Sequence, residues 1–110
     1  MVNIRNKGKR GELEVVKIIN RCLETNVRRT PNSGGLSIKG DIIDINPDSV
    51  IHDCHFEIKN HKKVIFGKWW EQAEGDCPLG KLPVLVFKHK GRWMAVQELH
   101  DWLGKINADK

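Results

Sequence analysis

The sequence predicts an α/β fold in which a mixed central sheet is flanked by helices. Three observations carry that expectation. Segments with helical periodicity open the chain, interrupt it and close it, and strand-like segments lie grouped between them. At 110 residues the chain has the length of one domain with one core. No internal repeat, low-complexity segment or linker divides it, so residues 1–110 are expected to form one domain, with a basic N-terminal arm over about residues 1–10.

Each element follows from local pattern. Residues 11–24, "GELEVVKIINRCLE", read as a helix with Val16, Ile19 and Leu23 on one stripe and Lys17 and Arg21 elsewhere. A short strand around Val27 to Arg29 leads into a loop marked by Pro31, Gly34 and Gly35. "DIIDI" (41–45) reads as a strand and "NPDS" as a turn around Pro47. "CHFEIKN" (54–60) is the next strand, and simple hairpin pairing joins the two. "GKWWEQAEGD" (67–76) reads as a short helix. "LPVLVFKH" (82–89) is a nearly continuous apolar run, as in a buried strand, and "GRWMAV" (91–96) returns after a turn near Lys90 and Gly91. "QELHDWLGKI" (97–106) closes the chain as a helix, and "NADK" frays. Trp93 and Trp102 are expected in the core. Trp69 and Trp70 point about 100° apart on a helix, so one is expected inside and the other exposed, stacked on unpaired bases or at a dimer contact.

Composition narrows the function. Lys plus Arg number 19 against 14 Asp plus Glu, a net charge of +5 with a pI near 9.3. The excess is clustered. Arg5, Lys7, Lys9 and Arg10 share the first ten residues with no acid, Arg28, Arg29 and Lys39 surround the glycine-rich loop, and Lys59, Lys62, Lys63 and Lys68 form a third group. Such clusters suit a polyanion such as nucleic acid. No apolar run approaches the roughly 18 residues of a membrane helix, and "MVNIRNKGKR" lacks the apolar core of a secretory signal; no membrane partner is expected. Three widely spaced cysteines, Cys22, Cys54 and Cys77, argue for a reducing setting rather than a disulfide framework. A cytoplasmic location is expected, the host cytoplasm if the chain is virus- or phage-encoded.

The strand at 54–60 carries the chemistry. Glu57 and Lys59 share one of its faces, and Phe56 and Ile58 the other. Folding the two central strands about Ser49 sets Asp41 opposite Glu57 on that same face. Two carboxylates in cross-strand contact repel, so a cation is expected between them: Lys59, a divalent ion, or both. Oxygen ligands alone suit Mg²⁺ or Mn²⁺ rather than zinc. Glu12 returns to within about 40° of the inward stripe of the first helix, an unusual place for an acid; it is either a third member of the site or a partner of the helix dipole at the rim of the core. An isolated Glu57–Lys59 surface pair would contribute only about 0–1 kcal/mol. The run His52, Asp53, Cys54, His55 has no CxxC partner with which to close a zinc site, so its histidines are expected near the turn or the DNA. The Gly34–Gly35 loop could approach a phosphate backbone closely, but no GK[ST] follows to make a P-loop.

These residues carry a resemblance. Gly40-Asp41, a spacer of fifteen residues, then Glu57-Ile58-Lys59, resembles the signature of the PD-(D/E)XK nucleases. "KGKRGELEVVKIINRCLE" resembles the opening helix of the archaeal- and phage-type Holliday junction resolvases in that superfamily. "VRRTPNSGGLSIKGDIIDI" resembles their arginine, Gly/Ser loop and aspartate strand, and "WWEQAEGD" the helix that follows. The likeness spans roughly residues 7 to 104. It implies a restriction-endonuclease-like core, a homodimer, dependence on Mg²⁺ (or Mn²⁺) and paired nicks in four-way DNA junctions. It further implies that Asp41 and Glu57 are metal ligands, Lys59 the active-centre lysine and Glu12 an additional metal-site acid. Arg10 and Arg29 become phosphate contacts, Gln72 occupies a position where related nucleases carry Gln, and Ser37 matches a loop serine for which Ser33 competes. Lys62 is expected on the DNA as well. Gly40 stands where the signature has proline. A nuclease acting on duplexes, flaps or ends, and a DNA-binding module without catalysis, are the alternatives.

Overall fold

The computed structural model describes residues 4–30, 41–44 and 46–108. In chain order they form α1 (Ile4–Leu23), β1 (Arg28–Arg29), β2 (Ile42–Ile43), β3 (Cys54–Lys59), α2 (Phe66–Asp76), β4 (Leu82–His89), β5 (Arg92–Val96) and α3 (Leu99–Ala108). Strands β3, β4 and β5 make a mixed sheet in that order, β3 parallel to β4 and β4 antiparallel to β5. The parallel step uses α2 as its crossover, as parallel neighbours require. Strands β1 and β2 pair antiparallel, Arg28 with Ile43 and Arg29 with Ile42. The Asp41 N–H, donated to the Phe56 carbonyl at 3.1 Å, ties this ribbon to β3. The mixed sheet and flanking helices are the predicted fold class.

Alternation along β3 sorts the residues. Phe56 and Ile58 join Val84 and Val86 of β4, Val15 of α1, Val27 and Ile42 in the main core. The opposite face carries His55, Glu57 and Lys59 in register with Pro83, Leu85 and Phe87, and α2 lies on that side. Its Trp69 is buried and sits 6.0 Å from the Phe87 ring. Cys77 then adopts an extended conformation (ψ 122) ahead of Pro78, which ends α2.

Four expectations are corrected. The helix begins at Ile4 rather than Gly11, so Lys7, Lys9 and Arg10 lie within α1 instead of on an arm. Val15 joins the core with Val16 and Ile19 packed against it, whereas Leu23 is 46% exposed; α1 ends there and the chain reverses at Glu24 (φ 54). Trp102 is 50% exposed, since α3 is tethered mainly through Lys105, which donates to the Val50 carbonyl at 2.7 Å and pairs with Asp53. The simple hairpin about Ser49 does not form. Asp44 Oδ1 accepts the Asn46 N–H at 3.0 Å and Asn46 Oδ1 the Asp48 N–H at 3.1 Å, so side chains of the turn capture the backbone and β2 stops at Ile43.

Two local devices place α1. A Cβ on Gly11 would stand 2.8 Å from the Asn60 Cβ, so only glycine allows the helix this close to the end of β3. Asn60 Nδ2 then donates to the Lys7 carbonyl at 2.9 Å. At the other end Asn20 Oδ1 accepts the Val27 N–H at 2.8 Å, and its amide donates to the Val27 carbonyl at 2.9 Å, which steers the chain into β1.

Candidate active site

At the end of β3, strand register and helix placement gather charge. Glu57 is only 6% exposed. Lys59 Nζ lies 3.3 Å from Glu57 Oε1 and donates to Gln72 Oε1 on α2 at 2.8 Å, so the ammonium is held between two side chains. Asp41 enters from the start of β2. Its Oδ2 accepts the Ile58 N–H at 2.6 Å, which fixes the carboxylate against the strand that bears Glu57 and Lys59. The backbone bond from Asp41 runs to Phe56, one residue from the predicted Glu57 partner. The bond to Ile58 brings the carboxylate back toward the predicted neighbours despite that offset.

The electrostatics report the crowding. Burial pushes the Asp41 carboxyl up to about 7, with the Glu57 charge adding to it and the Ile58 N–H opposing it. Glu12 raises it further and Lys59 lowers it. Burial also raises Glu57, against the stabilising charge and hydrogen bond of Lys59, while Asp76 and Glu12 raise it further. Two acids held where both resist ionisation suit a site that gains charge from outside.

Glu12 faces the same region from α1 but is engaged by Arg29, whose Nε donates to Glu12 Oε2 at 3.1 Å. That bond uses one of the five guanidinium donors. Among the described residues, no three His, Cys, Asp or Glu side chains stand close enough to hold an ion together. Glu12 is therefore not gathered with Asp41 and Glu57 into one ligand cage.

A family model described as "Phage putative PDDEXK endonuclease" matches residues 3–109. The chain belongs to this family. It is 30% identical to the "Protein D14" of Escherichia phage T5, over 91% of this chain and 74% of that protein. No solved structure matches it significantly.

In this PDDEXK nuclease the residues expected to form the signature stand in two places, Asp41 just before β2 and Glu57-Ile58-Lys59 on β3. The donor set fits a divalent metal of the kind such nucleases generally use. Such an ion takes one or two carboxylates and fills its shell with water and substrate oxygens, and Asp41 and Glu57 are the pair that would hold it. In this endonuclease Arg10 and Lys62 line a groove along α1, away from Glu12. Ser37 and its competitor Ser33 lie outside the described residues. Sequence reasoning missed the pairing of Arg29 with Glu12, the close approach of Gly11 to Asn60 and the influence of Asp76 on Glu57. A glycine inside an amphipathic helix was the available signal for the second; Asp76 gave none, because α2 approaches β3 only through the tertiary fold. His55, expected near the turn or the DNA, is instead 2% exposed, and burial lowers its pKa. No helix of the described residues is long and apolar enough to cross a membrane.

Proposed function

We propose that this nuclease is a divalent-metal-dependent, structure-selective DNA endonuclease that resolves four-way (Holliday) junctions by paired nicks as a homodimer. The observation that carries the reading is the corner at the end of β3, where Asp41 and Glu57 repel each other beside a restrained Lys59. A non-catalytic DNA binder gains nothing from carboxylates turned toward phosphate. Asp41 and Glu57 would hold Mg²⁺ or Mn²⁺, which when bound acidifies a water and offsets charge on the phosphodiester in the transition state. Lys59, fixed by Glu57 and Gln72, would neutralise the scissile phosphate or orient the attacking water. Arg29 would hold Glu12 at the rim and offer its other donors to phosphate.

The junction substrate is supported by the likeness of residues 7 to 104 to junction resolvases. A two-fold dimer matches the near two-fold symmetry of a four-way junction and gives each strand its own site. A second copy would also cover large apolar side chains that α3 leaves exposed, Leu99, Trp102, Leu103 and Ile106. The test compares cleavage of four-way, three-way and linear DNA with Mg²⁺. Preferential paired nicking of the four-way form is expected. Equal rates on all three would assign a nuclease of broader substrate, and intact DNA that is nonetheless bound would assign a binding module.

A further inference from the structure

A groove on the far side of α1 holds much of the molecule's positive charge. It is lined by Lys7, Arg10, Lys17, Lys62, Lys88 and Lys90, with Glu14 as the single carboxylate. Six cations against one acid give this groove an excess as large as the +5 of the whole chain. Glu14 is 3.5 Å from Lys88. Among the described residues the other five cations have no carboxylate partner. Like charges gathered without counter-charge raise one another's energy, and a polyanion relieves that cost.

Its position relative to the carboxylates is set by helix geometry. Glu12 meets Arg29 on one flank of α1, and Glu14, about 200° around the axis, meets Lys88 on the other. The groove's Asn60, His61 and Lys62 follow Lys59 directly along the chain, so the groove begins where the strand that carries Glu57 and Lys59 ends. A duplex that reaches the carboxylates with one strand can therefore lay its other strand in the groove. His61 stands at the junction of the two regions: burial lowers its pKa, and the charges of Lys59 and Lys7 lower it further.

The turn at the end of the groove adds an independent sign. Lys90 and Gly91 have φ values of 51 and 78, a two-residue turn whose first position favours Asn, Asp or Gly. Lysine there is strained, and its side chain is exposed, so no packing offsets the strain. A strained residue that carries a positive charge suited to phosphate points to use of that charge.

We infer that the groove between α1 and the β4–β5 hairpin binds the phosphate backbone of the DNA strand that is not cut. The inference rests on the nuclease reading for the phrase "not cut" alone; binding itself is tested separately. DNA affinity is measured against salt in EDTA, where no cutting occurs. Lys17→Ala with Lys90→Ala is expected to lower the log–log salt slope by about 0.9 for each phosphate no longer neutralised, and to weaken binding by up to about eightfold per lysine at 0.1 M salt. Arginine at both positions should retain affinity and slope. Glu14→Gln should tighten binding. Lys90→Asn should raise the melting temperature, because Asn suits the turn, and weaken binding all the same. Unchanged affinity and slope in the double alanine variant overturn the inference while leaving the nuclease reading intact, as does Lys90→Asn binding like wild type. Weakened binding by a protein that leaves all DNA whole in Mg²⁺ upholds the groove and overturns the nuclease.

Discussion

At the scale of single residues, Asp41 governs how the molecule responds to pH. Its carboxyl is raised from 3.8 to about 7 in the fold. A raised acid contributes stability below pH 4, where it is protonated in both states, and that contribution is lost as pH climbs through about 7. Metal-free protein should therefore become less stable between about pH 4 and 7 on account of this residue. Asp41→Asn keeps an oxygen for the Ile58 N–H and removes the charge. It should stabilise the metal-free protein at pH 8 by about 1–3 kcal/mol, a discounted value for a partly solvated group, and by nothing near pH 4. Thermal melts at the two pH values check this. Mg²⁺ should raise the melting temperature of the wild type at pH 8 and leave the Asn variant unmoved. Gln72→Ala should release one of the two restraints on Lys59. About a tenfold fall in kcat with little change in KM is expected when a positioning hydrogen bond is removed; single-turnover kinetics at saturating DNA would measure it.

At the scale of elements, the seating of α1 against β3 depends on Gly11. A methyl there meets the Asn60 Cβ at 2.8 Å, so Gly11→Ala should destabilise the fold by about 1–3 kcal/mol, as overpacking does, and displace Glu12 and Arg29. Asn60→Gly in the same chain removes the atom that is struck and should recover part of the loss; chemical denaturation of both variants tests this. The same element shows what could be read from sequence. The odd and even faces of β3, and the order of helices and strands around it, were legible because a period of two and a period near 3.6 are local properties. The place of Glu12 beside the apolar stripe of α1 was legible because an acid there breaks the pattern, but whether it joins the metal site was not. The partner of that acid was not, because Arg29 reaches it only through the Asn20 clamp on Val27 and the reversal at Glu24. The simple hairpin about Ser49 was misread for a related reason. Asp44 and Asn46 take the turn's N–H groups for themselves, and no count of residues between strands reveals which side chains will do so.

At the scale of the whole molecule, charge is divided between the acids and lysine at the end of β3 and a groove along α1 whose cations, Lys88 apart, have no carboxylate partner among the described residues. Such a body should bind DNA with a strong dependence on salt and cut it only where the backbone reaches the acids. Asp41→Asn and Glu57→Gln should lose cutting yet keep binding, which separates the corner from the groove experimentally. If a symmetric dimer forms through α3, Trp102→Glu should convert it to a monomer in sedimentation and uncouple the paired nicks into single ones. On this account the Asp41–Glu57 corner is a cation-dependent site of DNA hydrolysis. The measurement that meets it most directly is the cutting of an end-labelled four-way junction by wild type and Glu57→Gln across a Mg²⁺ titration. Cutting should rise with Mg²⁺ in the wild type, vanish in EDTA and be absent in the variant at every concentration; a Glu57→Gln protein that cuts at the wild-type rate would contradict it.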